Sequence, residues 1–218
     1  MSNRLPLHEL HATDGALLEE VCGWLLPIHY GDSVAEHRAV RTAAGLLDRS
    51  LVGKVEVTGR DRASFLQGML TNDVKALAPG HGCPAAFLDA HGKVQALLTV
   101  LAQEDRLLLE LPPGIAEKTL WTLDKFLISE RAYFTDVTDA FAHFALHGAA
   151  AGAVLADATG SPVSLEPYQH VELTVGAARV RLSRVDALGV TGFHLWGLPQ
   201  DGADLWRRLV EVGKPHGL

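Results

Sequence analysis

Cysteine is scarce in this chain: Cys22 and Cys83 are the two in 218 residues. With no C-x-x-C pair, zinc-finger and iron–sulfur ligand spacings are excluded, and a single disulfide is the arithmetical limit. Two thiols in a reducing compartment are the expectation. Also missing is any apolar run near the roughly 20 residues that cross a bilayer. The first ten residues lack an apolar core segment after Arg4, so a cytoplasmic protein with no membrane partner is expected. Basic residues are outnumbered, 19 Lys and Arg against 26 Asp and Glu, for a net charge of −7. The charges are dispersed, which argues against nucleic acid as a partner. No Walker A loop, H-E-x-x-H or G-x-S-x-G occurs. Gly80-His81-Gly82 lacks a third glycine and reads as a tight turn.

What remains is ordinary globular composition, 48% hydrophobic and 21% charged, enough for one or two domains with a sizeable core. Residues 51 to 111 organise the chain. Lys54-Val55-Glu56-Val57-Thr58 alternates like a strand, and Phe65, Leu66, Met69 and Leu70 recur at helical spacing. Thr71-Asn72-Asp73 ends that helix. Two apolar runs then meet at a hairpin turn, Asp89-Ala90-His91-Gly92. A third strand ends at Leu111, Pro112-Pro113-Gly114 breaks the sheet, and Ala116, Leu120, Leu123 and Leu127 predict another helix. A strand at 132 to 137 closes a split β-α-β module.

Upstream, residues 5 to 32 read as an irregular entry segment. Ser33 and Glu36 form a capping box for a helix over 34 to 44, stopped by Gly45. Downstream, a strand over 141 to 147, an Ala-rich helix ended by Gly160, a hairpin turning at Gly176, a short strand at 192 to 196 and a last helix around Leu205 to Val210 repeat the same logic. An internal duplication is the inference. A further strand is expected after that helix, so either the chain is a short form or a C-terminal part is absent.

The candidate chemistry is thin. Among eleven histidines, His143 and His147 share a strand face but stand too far apart to hold one ion together. His8 and His11 fall in a mobile-looking terminus, and no metal site is assigned. Asp48 and Asp89 are carboxylates available as bases, although Asp89 also suits its hairpin turn. The four tryptophans fit core or interface anchors.

Three segments together resemble the glycine-cleavage T-protein (aminomethyltransferase, GcvT) superfamily: "GWLLPIHYGDSVAEHRAVRTAAGLLDRS" at 23 to 50, "FLQGMLTNDV" at 65 to 74, and "GFHLW" at 192 to 196. Within it, "GHGCPAAFLDAHGKVQ" and "LLLELPPGIAEK" are more similar to YgfZ-like folate-binding proteins, which are linked to iron–sulfur protein maintenance. The resemblance implies an α+β fold of two intertwined antiparallel-sheet modules with flanking helices. It implies a discontinuous domain of residues 1–50 plus 141–218, an inserted domain of 51–140, and a C-terminal β-barrel domain that is absent here. The Lys-Gly-Cys-Tyr signature of the YgfZ branch would lie beyond Leu218.

Tetrahydrofolate is the implied cofactor. The positions matching its site are Asn72, Asp89, Leu97, Val190 and Phe193, with no catalytic residue assigned. T-proteins carry Gly-Gly-x-x-Asp-Asp after the hairpin; this chain has Gly92-Lys93-Val94-Gln95-Ala96-Leu97, and leucine cannot move a proton. Their tyrosine matches Pro84, their Val-Asn-Ala matches Leu111-Pro112-Pro113, and their Tyr-Thr-Gly-Glu matches Ala187-Leu188-Gly189-Val190. Each loss deletes a polar contact, about 1–3 kcal/mol. The resulting expectation is a YgfZ-like folate-binding protein, outside glycine cleavage, assisting iron–sulfur client proteins. Two alternatives stand beside it: an aminomethyltransferase whose acid–base group comes from elsewhere, such as Asp89, and a ligand-free scaffold with Leu97 and Val190 filling the pocket.

Overall fold

The structure, a computed structural model, describes residues 2–187 and 189–218. Leu188, in the run matched above to Tyr-Thr-Gly-Glu, lies outside the described residues. The fold is α+β, as expected, and the chain groups into two compact units. The first comprises the chain up to Ser50, Asp139–Pro167 and Glu172–Leu218; the second comprises Leu51–Thr138 and Tyr168–Val171.

The entry segment is regular, contrary to the expectation. Strand β1 (Asn3–Arg4), helix α1 (His8–Thr13), and strands β2 (Leu17–Val21) and β3 (Trp24–His29) precede residue 32, and the strands form a sheet of order β1-β3-β2. The β2–β3 hairpin turns at Cys22 and Gly23, both at positive φ (50° and 80°), the conformation that two-residue hairpin turns require. Burial does not alternate along β2, whose residues are nearly all exposed, so no period of two marks it in the sequence.

Helix α2 (Ser33–Thr42) is capped by Asp32, not Ser33. Its carboxylate accepts from the backbone N–H of Val34 (2.8 Å) and Ala35 (3.3 Å), satisfying two orphan donors. Glu36 reaches the N–H of Tyr30 instead (2.7 Å). Gly45 does not cap the helix. It opens β4 (Gly45–Asp48), lying so close to Val40 that a Cβ there would collide.

The second unit follows the sequence reading closely. Strand β5 (Gly53–Thr58), helix α3 (Arg62–Met69), strands β6 (Gly82–Leu88), β7 (Val94–Ala102) and β8 (Leu107–Leu111), helix α4 (Ala116–Asp124) and strand β9 (Tyr133–Asp136) occur in that order. The sheet runs β6-β7-β8-β5-β9. Val55, Val57, Phe87, Leu98, Val100 and Leu109 point from one face into a core closed by Phe65, Leu66 and Leu123 of the helices. Tyr168–Val171 joins this unit through His170, which donates its N–H to Gly80 O (2.8 Å) and sets Nε2 against Ala102 O (2.9 Å).

The first unit continues with β10 (Ala142–His147), α5 (Ala151–Thr159), β11 (His170–Val175), β12 (Ala178–Arg184), β13 (Gly192–Gly197) and α6 (Gly202–Gly213). The sheet order is β11-β12-β13-β10-β4. The place beside β10 is thus filled by β4, drawn from the N-terminal segment, in antiparallel register. Phe144, Leu146, Leu182 and Leu195 form a core with Val154 and Leu155 of α5 and Leu205, Trp206 and Leu209 of α6. Among the described residues, no helix is long and apolar enough to cross a membrane.

Candidate functional site

In the second unit, one face of the β6–β7 hairpin lies away from the core. Leu97 is 62% exposed and stands opposite Ala86 in the antiparallel register, with Thr99 opposite Pro84. Asn72, just past α3, is brought to the same strand: its Nδ2 donates to Pro84 O (2.8 Å) and its Oδ1 accepts from Asp73 N (2.8 Å). Thr71 completes the attachment, its N–H reaching Ala86 O and its hydroxyl accepting from Ala86 N. Asn72, Pro84, Ala86 and Leu97 are therefore one local patch. The polar ends of Asn72 are occupied in fastening it.

Asp89 closes the hairpin. Its Oδ1 accepts from His91 N (2.9 Å) and Lys93 N (3.0 Å), and its Oδ2 lies 3.3 Å from the Gln95 amide nitrogen. Gly92 takes φ +80° at the turn, a conformation costly for other residues. The carboxylate spends one oxygen on the turn and meets Gln95, on the strand that carries Leu97, with the other.

The remaining two positions fall in the first unit. Val190 is half-buried in a small loop, its N–H donating to Ala187 O (3.0 Å). Asp186 braces this loop: it pairs with Arg184 and accepts from Gly192 N (3.3 Å). The Arg184 guanidinium holds the Asp186 carboxyl below its usual range. Phe193 is 4% exposed and belongs to the sheet core, so its ring packs against protein rather than presenting a stacking surface.

Two buried networks escaped the sequence reading. His11, placed above in a mobile terminus, is 0% exposed. Its Nε2 lies 2.9 Å from Asp48 Oδ2, and its Nδ1 lies 2.7 Å from Tyr30 Oη. Because the carboxylate can only accept, Nε2 carries a proton toward it, and in the neutral imidazole Nδ1 then accepts from the phenol. Asp48 Oδ1 accepts from Ser50 N (2.8 Å), and the Trp206 ring stands edge-on to the imidazole at 4.9 Å. Burial, followed by the charges of Asp48, Asp14 and Glu36, pushes the Tyr30 phenol up, keeping it a donor.

The second network joins His143, His147 and His194. The strand distance between His143 and His147 stands, but the register sets His194 opposite Ala145, between them. Ring centroids are 5.0 Å apart for His143–His194 and 5.8 Å for His147–His194. The lack of a Cβ on Gly192 gives the His147 ring its space. Burial first, then His194 and Arg49, bring the His147 value down to about 4, so it is neutral at pH 7. Spacing four residues apart on one strand gave no hint of a third histidine arriving from another.

The two units thus present a patterned antiparallel fold with an apolar hairpin face in one and a braced loop in the other, the class of protein that the sequence resemblance anticipated. A family model, the GCVT N-terminal domain, matches residues 7–218, and the chain belongs to that family. It is 34% identical over 218 residues to the aminomethyltransferase of Halalkalibacterium halodurans, covering 99% of this chain and 60% of that protein. It is 36% identical to the aminomethyltransferase of Lysinibacillus sphaericus, covering 99% of this chain and 59% of that protein. Among solved structures, the glycine cleavage system aminomethyltransferase T from Bartonella henselae superposes with a TM-score of 0.86 at 28% identity, over 96% of this chain and 57% of that one. A chain of the heterotetrameric sarcosine oxidase of Corynebacterium shares the fold, with a TM-score of 0.62 at 14% identity. The chain spans about 60% of the length of the curated relatives it matches.

These findings correct the functional expectation. The curated relatives that align along the whole chain at 32–36% identity are aminomethyltransferases, which overturns a YgfZ-like role outside glycine cleavage. Iron–sulfur client proteins lose their support with it.

Proposed function

We propose that this chain is the tetrahydrofolate-facing part of an aminomethyltransferase, acting in the cytoplasm. The observation that carries the reading is the 34–36% identity, along essentially the whole chain, to curated aminomethyltransferases. The division into a discontinuous domain of residues 1–50 plus 141–218 and an inserted domain of 51–140 belongs to the same proposal, and the grouping of contacts supports it.

The candidate positions fit one half of a folate site. The hairpin face around Leu97 and Ala86 offers a solvent-open apolar surface on which a flat ring can pack. Asn72 and Asp89 hold that surface in shape through Pro84 O and the turn amides. The proton-handling half does not fit: Leu97 has no group that accepts or gives a proton, so no proton-transfer step is assigned to it. Asp89, beside Gln95, is the carboxylate this hairpin supplies.

Calorimetric titration with tetrahydrofolate tests the reading, together with turnover assays using a lipoyl carrier. Saturable binding is expected, with turnover rising about tenfold or more in Leu97→Asp as a carboxylate returns. An absence of both heat and thermal shift with tetrahydrofolate would overturn the proposal. Activity surviving unchanged in Asp89→Ala would remove Asp89 from any acid–base role.

A further inference from the structure

We propose that the open pocket between α4 and β9, in the second unit, binds a small organic cation of the methylated ammonium class. It lies within one unit, shares no residue with the hairpin patch, and stands independently of the aminomethyltransferase reading.

The cavity measures about 520 Å³, within the range of small-molecule sites. Trp121 and Tyr133 line it with exposed rings, and Asp124 and Glu130 line it with carboxylates; Phe134, also in the lining, turns its ring edge-on to Phe65 of the core. Trp121 and Tyr133 are 63% and 61% exposed, a large aromatic area to leave in water. Aromatic faces are electron-rich and attract cations, most strongly tryptophan. The chain demonstrates this preference itself: the Lys125 ammonium lies 3.0 Å from the centroid of the Trp121 ring.

The acidic groups give the pocket its sign. Glu130 Oε2 accepts from Ile128 N and Ser129 N, both at 3.0 Å. These bonds hold the Glu130 carboxyl below its usual range, so it stays charged at neutral pH. Aromatic walls with nearby carboxylates suit a ligand whose positive charge is spread over methyl groups. Such an ion gives up little hydration on entering and makes cation–π contact over a wide face. A neutral apolar ligand would use the walls and gain nothing from Asp124 and Glu130.

Choline and its uncharged tert-butyl analogue, nearly identical in shape, separate the two cases. They are titrated into the full chain by tryptophan fluorescence and calorimetry. Choline is expected to saturate, with the analogue weaker by about tenfold or more. Trp121→Leu should weaken choline by about tenfold; the position is exposed, and a thermal melt checks that the variant folds. Lys125→Met removes the competing ammonium and should strengthen choline severalfold. Equal binding of choline and the analogue overturns the proposal and leaves an apolar groove. So does the absence of saturable choline binding in both the wild type and Lys125→Met.

Discussion

Each five-stranded sheet has one face against helices, and its other face also carries buried polar side chains. In the second unit that other face sets Lys54 on β5 opposite Glu110 on β8, at 0% and 8% exposure. In the first unit it carries His143, His147 and His194 with Trp196, all 3% exposed or less. Burying polar groups is costly in either case. The first solution is a cross-strand pair of opposite formal charges. The second is a ladder of rings in edge-to-face contact, within which burial keeps His147 neutral at pH 7. One sheet therefore buries two opposite formal charges, and the other a histidine held neutral.

Removing charge from the first of these should have the largest effect. Lys54→Met removes one of two buried, cross-strand opposite charges and the 2.7 Å bond from Lys54 Nζ to Val52 O, and about 3–5 kcal/mol of stability should be lost, measured by urea unfolding. A loss under about 1 kcal/mol would mean that the cross-strand placement contributes no pairing.

Adding charge to the histidine ladder comes next. The native His147 value is held at about 4, against 6.5 for an unperturbed imidazole. The native state thus binds fewer protons than the unfolded chain, and stability rises with pH in this window. The contribution is complete above pH 6.5 and is lost as pH falls toward 4. Its size is about 3 kcal/mol, from about 1.4 kcal/mol per pKa unit. In His147→Gln, the slope of unfolding free energy between those pH values should flatten by about one proton. An unchanged slope would place the proton uptake elsewhere.

A third effect concerns Tyr30, His11 and Asp48. Tyr30→Phe keeps the ring and deletes the 2.7 Å bond to His11. The expected cost is about 1 kcal/mol, read from the urea midpoint, with His11→Ala costing more because it also strands the Asp48 carboxylate.

These contrasts follow what the sequence could and could not show. Alternation in Val55 and Val57 against Lys54 and Glu56 revealed β5, but the same pattern usually means that polar residues face water. It gave no warning that Lys54 is buried. Hydrophobic period reports the first face of a sheet; the partners of the second come from distant strands. His194 reaches His143 only through the β10–β13 register. His11 could not be distinguished from a surface histidine without Asp48 and Tyr30, which are 37 and 19 residues away. The entry strands were hidden for another reason. Glu19 and Glu20 leave β2 without an apolar face, and Pro27 lies inside β3. At α2, two adjacent capping residues competed, and Asp32 won because its carboxylate serves two amides.

The hairpin patch supplies the smallest expected change in stability and the sharpest functional contrast with the buried faces. Leu97 is 62% exposed, so Leu97→Asp puts a carboxylate in water rather than into a core. Its cost should stay within about 0.5 kcal/mol, as for surface substitutions generally. Asp is a poor strand former, and part of that cost is this propensity. Lys54 and His147 cannot be exchanged so freely, because their surroundings are built around one charge state. Position 97 can therefore be varied for its chemistry alone. If Leu97→Asp leaves the unfolding midpoint unmoved and raises aminomethyl transfer, the hairpin face is the reacting surface. If the midpoint holds and turnover does not rise, the acid–base group lies elsewhere, and the apolar face serves only to pack the ring.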